Sequence, residues 1–315
     1  MLSRKSKLFL TKIFSFFSVV RGYNIWVIVV AQYLASIFIL APEKRALEIL
    51  LDWKLFLIVF ASSLTIASGY IINNFYDAKK DLINRPRKAM IDRLVSQSTK
   101  LKVYFVLNFF IVTIVSFISW RAVLFFSSYI FLIWFYSHKL KKYPIIGNLT
   151  ASVLAVLPFF GILMYYKNFY HVIFAHATFL FLLILIRELI KDLENIEGDL
   201  VNEYKTIPVL FNERTAKIII SVLTTATLIP VYFLTDIYDV GYMDIYFYSS
   251  LLLLLFFFIQ LWKSKNKADF LKLHFLLKFI IVSGVFCIVL IDPSVLLHGQ
   301  KLLSLQYYDF IAAFV

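Results

Sequence analysis

The sequence predicts an all-α, polytopic membrane protein with nine transmembrane helices. Of its 315 residues, 61% are hydrophobic, and its mean hydropathy is +0.83, whereas a soluble domain is about 45–50% apolar. Apolar runs long enough to cross about 30 Å of hydrocarbon recur along the whole chain. The runs are continuous and do not alternate with polar residues, which is the pattern of helices that satisfy their own backbone in lipid.

The predicted helices occupy most of the chain and leave short polar connections between them. The least marked boundary is at Trp120 and Arg121, which has to separate the third helix from the fourth. We expect a basic N-terminal segment at 1–22, a membrane domain at 23–292 and a C-terminal tail at 293–315. The expected spans are 23–42, 53–74, 101–119, 121–137, 144–166, 169–190, 216–236, 243–262 and 273–292.

The distribution of basic residues predicts the orientation of these helices. Nine helices place alternate loops on opposite sides, and one side carries the basic N-terminal segment and the basic clusters at 79–102, 139–142, 187–217 and 263–278. Cytoplasmic loops are enriched in Lys and Arg, so this side and the N-terminus are predicted to be cytoplasmic. The same rule accounts for the net charge of +13 without a nucleic-acid partner. The opposite side has only Lys44, Arg45, Lys54, Arg121, Lys167 and Lys301.

Two acidic segments end the second and sixth predicted helices, both on the predicted cytoplasmic side. Residues four apart share a helix face, as do residues three or seven apart. If the helices continue, each segment therefore presents one face rich in oxygen atoms. The first face comprises Asn73, Asp77 and Asp81, and the second comprises Asp192, Asn195 and Asp199.

These two faces predict a site for Mg²⁺ and a diphosphate. Mg²⁺ prefers oxygen ligands and commonly combines one or two carboxylates with substrate phosphates. The six face residues are therefore the candidate metal ligands, and cations beside them suit a bound polyanion. The alternative is that the lysines only set the topology and that each acidic face is a solvated helix end. The candidate diphosphate-binding residues are Asn73, Arg85, Arg87, Tyr136, Lys139, Lys141, Lys191 and Lys205.

Three segments in this order resemble the motifs of the UbiA superfamily of intramembrane prenyltransferases. "NNFYDAKKD" (73–81), followed by "INRP" (83–86), is similar to the family pattern N-D-x-x-D-x-x-x-D. "DLENIEGD" (192–199) is similar to D-x-E-D-x-x-G-D, and "YSHKLKKYPIIGN" (136–148) resembles the family's Tyr-to-Lys loop. Arg21 and Asn24 resemble an Arg and an Asn that open its first helix.

The resemblance implies a ring of nine helices around a central chamber that is open to lipid. It also implies a Mg²⁺-dependent transfer of a polyprenyl group from a polyprenyl diphosphate, with Asp77, Asp81, Asp192 and Asp199 as catalytic residues. The motif loops would be 73–100, 136–143 and 187–214 and would face the cytoplasm from the cell (inner) membrane. Asn74 and Asn195 stand where the family patterns have Asp. An amide brings no charge, so Asn195 predicts a weaker second metal position.

The acceptor is the least defined part of the predicted reaction. The second motif looks most like the branch that prenylates a glycerol phosphate ether, and an aromatic quinone precursor is the alternative acceptor. The candidate acceptor residues are Asn24, Ser68 and Asn148, with Gln32 as a further polar group inside an apolar helix. A transporter with acidic ion sites is the alternative from another class. Transporter sites usually lie near the bilayer midplane, whereas these acidic groups lie at one membrane edge.

Overall fold

The computed structural model describes residues 14–297, and nine helices in that part of the chain are long and apolar enough to cross a membrane. We number them α1 to α9. Short helices follow several of them at the two ends of the bundle. The nine are α1 Gly22–Leu40, α2 Trp53–Tyr76, α3 Gln97–Ser116, α4 Trp120–Lys142, α5 Ile146–Tyr166, α6 His171–Glu194, α7 Glu213–Ile237, α8 Gly241–Lys263 and α9 Lys267–Ile291.

The observed helices correspond one to one with the predicted spans. The weakly marked boundary between α3 and α4 lies at residues 117–119, and the Ser119 side chain caps α4 by accepting a hydrogen bond from the Ala122 N–H. The start of α9 was predicted wrongly at residue 273, because the helix begins at Lys267. Its first turns carry charged residues, so a search for apolar runs does not detect them. Residues 1–13 and 298–315 lie outside the described part of the chain.

The helices close into a ring through two hydrophobic cores. One core lies mainly among α1 to α5, and the other lies mainly among α6 to α9. Helix α5 packs against α6, and α9 packs back against α1, so the two groups meet at both seams. Together with the nine spans found within residues 14–297, these contacts confirm the predicted all-α architecture.

A proline inside α5 shows how the bundle satisfies its backbone in an apolar setting. Pro158 has no N–H, so the carbonyl of Leu154, four residues earlier, loses its helical donor. The Tyr129 hydroxyl from α4 donates to that carbonyl at 2.9 Å. Gln32 from α1 donates to the Pro158 carbonyl itself at 3.2 Å. Both side chains therefore join neighbouring helices while supplying hydrogen bonds that lipid cannot supply.

The two acidic segments form short helices at the same end of the ring. After α2 the chain forms the helices Lys80–Asn84 and Pro86–Asp92, and after α6 it forms Ile196–Val201 and Ile207–Leu210. The shared face of Asn73, Asp77 and Asp81 was conditional on α2 continuing past Asn74. The helix continues only to Tyr76, and a turn separates it from the next helix, which contains Asp81.

Asn74 lies off the Asn73–Asp77–Asp81 face and belongs to a separate buried network. Its amide donates to Asp92 at 2.9 Å and accepts from the ammonium of Lys100 at 2.8 Å. Lys100 is only 1% exposed, so this amide is one of the groups that offset the cost of burying a cation. The network links α2 to α3 and to the helix Pro86–Asp92. These links hold the first motif in place on the side away from its acidic face.

Candidate active site

The motif loops surround a polar pocket at one end of the ring, with about 740 Å³ of empty space that includes its opening to solvent. Its wall comes from the start of α1, the ends of α2, α4 and α6, the start of α5 and the short helices and loops that follow α2 and α6. The lining residues are Arg21, Asn73, Asp77, Lys80, Asp81, Asn84, Arg85, Tyr136, Lys141, Tyr143, Gly147, Asn148, Glu188, Lys191, Asp192, Asn195, Tyr204 and Thr206.

Asp77 is the most heavily contacted carboxylate of the first motif. The Lys141 ammonium donates to Asp77 at 2.6 Å and to the Asn73 side-chain oxygen at 3.2 Å. The Tyr204 hydroxyl also donates to Asp77, at 3.0 Å. Burial alone would raise the pKa of the Asp77 carboxyl, but the charges of Lys141 and Lys80 outweigh it, so this pKa lies below its ordinary value.

Asp81 lies in the same pocket and has the opposite electrostatic balance. Burial raises the pKa of its carboxyl, and the negative charge of Asp77 raises it further. A divalent cation that bound both carboxylates would relieve this repulsion. When Asp77 and Asp81 are both ionised, their two neighbouring negative charges therefore favour the binding of a cation in the pocket.

The second motif contributes Asp192 and Asn195 to the opposite wall. Asp192 accepts a hydrogen bond from the Asn148 amide at 2.8 Å. The Asn195 amide nitrogen donates to the Lys191 carbonyl at 2.6 Å, and its buried side-chain oxygen has no hydrogen-bond partner among the described residues. Lys191 pairs with Glu188 at 2.8 Å. The second motif thus presents one neutral oxygen and one carboxylate to the pocket, beside the carboxylate of Glu188, which is paired with Lys191.

Asp199 is not on the pocket wall, contrary to the predicted shared face with Asp192 and Asn195. Helix α6 ends at Glu194, Asn195 leaves helical geometry, and a new helix begins at Ile196, so the spacing of a continuous helix no longer applies. The Asp199 carboxylate is 0% exposed and forms a close ion pair with Lys80. Burial raises the pKa of Asp199, and the Lys80 charge opposes that rise.

A glycine allows the short helices of the two motifs to pack directly together. A Cβ placed on Gly198 would overlap the side chain of Asn84. The close approach also lets Lys80, on the first motif, reach Asp199, on the second. The glycine of the second motif therefore acts as a packing position between the motifs.

Arg85 connects both motifs to α9. Its guanidinium lies 3.4 Å from Glu194, and the His274 ring from α9 lies 3.2 Å from the other oxygen of that carboxylate. Arg87, also predicted to bind the diphosphate, is exposed and does not line the pocket. Lys139 and Lys205 are exposed as well, and neither lines the pocket.

Of the predicted acceptor residues, only Asn148 lines the polar pocket. The Asn24 amide donates to the Tyr70 hydroxyl at 3.3 Å, so it joins α1 to α2. Ser68 is buried and donates to the Thr65 carbonyl of its own helix at 3.0 Å. The Gln32 amide donates to the Pro158 carbonyl of α5. Ser68 and Gln32 thus act within or between helices, as buried polar groups of membrane helices commonly do.

Sequence reasoning missed several residues of the pocket. Glu188 precedes Asp192 by one turn of the same helix, and that spacing could have identified it. Lys80 adjoins Asp81 and was hidden by its position off the acidic face. Tyr204 and Thr206 carry no pattern that marks them, because only the fold of the loop after α6 returns them to the pocket.

The first motif fits a bound Mg²⁺ better than the second. Nowhere in residues 14–297 do three or more His, Cys, Asp or Glu side chains gather as a preformed metal cluster. Asn73, Asp77 and Asp81 nevertheless supply hard oxygen donors, and the Lys141 ammonium already occupies a cation position between the first two. The second motif offers Asp192 and the neutral Asn195 to the pocket, with Asp199 withdrawn.

A second cavity is almost wholly apolar and lies toward the other end of the ring, with about 770 Å³ of empty space that includes its opening. Its walls come from α1, α5, α6, α8 and α9 and include Phe159, Phe179, Tyr246 and Phe247. Apolar walls of this kind suit a hydrocarbon chain. The ring therefore combines a charged pocket at one end with apolar space at the other.

Together, these features define a multi-pass α-helical membrane protein with a charged pocket at one end. Comparison with known proteins then identifies the family: the chain belongs to the UbiA prenyltransferase family, whose profile matches residues 22–288. The protein is therefore a prenyltransferase, and the transporter alternative is wrong.

Curated relatives agree with this assignment. The digeranylgeranylglyceryl phosphate synthase of Methanobrevibacter smithii is 28% identical over 83% of this chain and 94% of its own length. The enzyme of the same name from Thermococcus sibiricus is 34% identical over 61% of this chain and 67% of its own length.

Solved structures share the fold at low sequence identity. A structure described as a digeranylgeranylglyceryl phosphate synthase in membranes superposes with a TM-score of 0.67 and 20% identity, over 88% of this chain and 97% of that one. A UbiA homologue from Archaeoglobus fulgidus, bound to GPP and Mg²⁺, gives a TM-score of 0.64 at 14% identity, over 87% of this chain and 99% of that one. These likenesses confirm the predicted UbiA-like fold.

Proposed function

We propose that the protein transfers a polyprenyl group from a polyprenyl diphosphate to a prenylated glyceryl phosphate, with Mg²⁺ bound at the first motif. The curated relatives carry the name of this activity, and the A. fulgidus homologue binds a prenyl diphosphate and Mg²⁺. The charged pocket would hold the diphosphate, and the apolar cavity would hold isoprenoid chain. We further propose that the pocket faces the cytoplasm from the cell (inner) membrane, as the charges of the loops predict.

The observation that carries this acceptor is an arginine of the pocket that has no carboxylate partner among the described residues. Four cations of the pocket have carboxylate partners: Lys141 with Asp77, Lys80 with Asp199, Arg85 with Glu194 and Lys191 with Glu188. Among the described lining residues, Arg21 is the remaining cation, and its guanidinium lies 5.1 Å from the centre of the Tyr70 ring.

An acceptor that carries a phosphate needs a cation beyond those that hold the donor. A guanidinium presents paired N–H groups that match a phosphate, and stacking on an aromatic ring limits its motion. Arg21 lies at the start of α1, beside Asn24 and Tyr70. We assign this corner of the pocket to the acceptor phosphate. An aromatic quinone precursor carries no phosphate, so it would form fewer contacts with Arg21.

The residues of the pocket would act on the bond between the allylic carbon and the diphosphate oxygen. Asn73, Asp77 and Asp81 would hold Mg²⁺, which neutralises charge on the leaving diphosphate when bound. Lys141 would move its ammonium from Asp77 to the diphosphate and stabilise the growing negative charge. The acceptor hydroxyl would then attack the electron-deficient allylic carbon, and its proton would leave through a pocket carboxylate, for which Asp192 is the candidate.

An acceptor comparison with purified protein tests this proposal. Labelled geranylgeranyl diphosphate is supplied with Mg²⁺ and with one of three acceptors: a geranylgeranyl glyceryl phosphate, 1,4-dihydroxy-2-naphthoate or 4-hydroxybenzoate. We expect a lipid product with the glyceryl phosphate alone. Arg21→Met should raise the KM for that acceptor and leave the KM for the donor unchanged, because Arg21 is assigned to the acceptor.

Two results would contradict the proposal. A product formed only with an aromatic acceptor would establish the quinone-precursor alternative. An Arg21→Met protein whose donor KM rises while its acceptor KM stays constant would move Arg21 to the diphosphate. Tyr23→Phe is the matched control on the same helix, since Tyr23 is exposed and lies outside the pocket.

A further inference from the structure

We infer that the Lys80 ammonium permanently occupies the cation position of the second motif, so that the protein binds one divalent ion where two acidic motifs suggest two. The inference rests on the proposed function only in taking the pocket to bind a divalent ion. It concerns a lysine of this chain acting in place of a metal.

The position of Lys80 supports this role directly. Lys80 belongs to the first motif, yet its ammonium forms its ion pair with Asp199 of the second motif. The Lys80 side chain is 17% exposed and that of Asp199 is 0% exposed, so water screens this pair weakly. The ammonium also lies 4.2 Å from the centre of the Tyr204 ring, which favours a cation at the same place.

The backbone around Lys80 holds the ammonium in this position. The helix Lys80–Asn84 packs against the helix Ile196–Val201, and Gly198 leaves no room for a Cβ beside the Asn84 side chain. The Tyr204 N–H donates to the Asp199 carbonyl at 2.9 Å, which keeps the ring beside the ion pair. Withdrawing Lys80 would leave the Asp199 charge buried and unpaired, a costly state in a protein interior.

The neighbouring oxygen atoms also fit one divalent ion better than two. In the first motif Asp77 and Asp81 both line the pocket, so two negative charges face an incoming ion. In the second motif Asp199 is withdrawn and paired, and Asn195 contributes an uncharged oxygen. Asp192 remains as the lining carboxylate of this motif, and the neighbouring Glu188 is already paired with Lys191. A divalent ion there would also be repelled by the nearby ammonium groups.

Lys141 differs from Lys80 although it too pairs with a motif carboxylate. Its partners Asn73 and Asp77 both line the pocket, so a metal ion or a diphosphate can reach them and the ammonium can shift onto the diphosphate. Asp199 does not line the pocket, and a ligand there cannot replace Lys80. Lys80 therefore holds the cation position of the second motif permanently. Lys141 can leave the cation position of the first motif to a metal ion.

Counting bound Mn²⁺ tests the inference without any reaction. Mn²⁺ suits the same carboxylate and carbonyl ligands as Mg²⁺, and its paramagnetic resonance signal separates free from bound ions. The full-length protein in detergent is titrated with Mn²⁺ alone. We expect one ion per chain in the unaltered protein and two in Lys80→Met, since that change removes the cation and keeps most of the apolar stem.

Control variants separate this effect from a general loss of charge or of structure. Lys79→Met removes a neighbouring, exposed lysine and should still bind one ion. Lys80→Arg keeps the charge and should also bind one. The double variant Lys80→Met with Asp199→Asn should return to one ion, because the second ion depends on Asp199. Monodisperse elution in size-exclusion chromatography shows that each variant is folded.

Two ions in the unaltered protein, or no gain of an ion in folded Lys80→Met, would overturn the inference. If that protein still transferred prenyl groups in the acceptor assay, the proposed function would be supported although this inference was refuted. A gain of one ion in Lys80→Met by a protein that prenylates none of the three acceptors would instead refute the proposed function and leave this inference intact.

Discussion

Tyr204→Phe is the substitution that most sharply tests how the two motifs cooperate. Its hydroxyl donates to Asp77 at 3.0 Å, while its ring lies beside Lys80. The substitution removes the hydroxyl and keeps the ring, so only the contact with Asp77 is lost. A hydrogen bond to a charged group is worth about 1.5–3 kcal/mol, which corresponds to roughly 10- to 100-fold in a binding constant.

We therefore expect the Mg²⁺ concentration for half-maximal transfer to rise by about 10- to 100-fold, the range typical for groups that orient metal ligands. The donor KM measured at saturating Mg²⁺ should change little, because Tyr204 is assigned to position Asp77 and not to bind the diphosphate. A magnesium titration of initial rates measures both quantities.

Tyr165→Phe is the matched control for this experiment. Its hydroxyl donates to the carboxylate of Asp52 at 2.7 Å, and Asp52 caps the start of α2, at the opposite end of the helix from the pocket. The same kind of hydrogen bond is lost there, so stability falls but magnesium dependence should not change. Equal magnesium dependence in Tyr204→Phe and the unaltered protein would refute the positioning role of Tyr204.

Three further substitutions test the site. Asp81→Ala should abolish transfer while the protein still inserts and elutes as a folded species, and near-normal turnover at saturating Mg²⁺ would exclude Asp81 as a ligand. Lys141→Ala should raise the donor KM at least tenfold, whereas the exposed Arg87→Ala should leave it within twofold; equal effects would mean that charge alone matters. Gly198→Ala should lower the melting temperature by several degrees, because the added methyl group overlaps Asn84, and Asn84→Ala in the same chain should restore it. Failure of that rescue would show that the glycine is needed for another reason.

The sequence alone predicted the membrane fold and part of the lining of the pocket. Helices that cross lipid must be long, apolar and internally hydrogen-bonded, so they can be recognised in the sequence as long apolar runs. The two acidic segments were also visible, because chemistry at a membrane edge needs charged residues that a lipid-facing helix would not carry. The loops that bear them were therefore predicted to meet, and they line one pocket.

Only the tertiary structure decided which charged residues act together. Periodicity placed Asp199 on a shared face with Asp192, but the break in α6 at Asn195 turned it toward Lys80. Arg87 looks equivalent to Arg85 in the sequence. In the structure Arg87 is exposed, whereas Arg85 pairs with Glu194. Side-chain partners of this kind depend on where short helices begin and end and on what packs behind them. Those are long-range properties that local spacing does not contain.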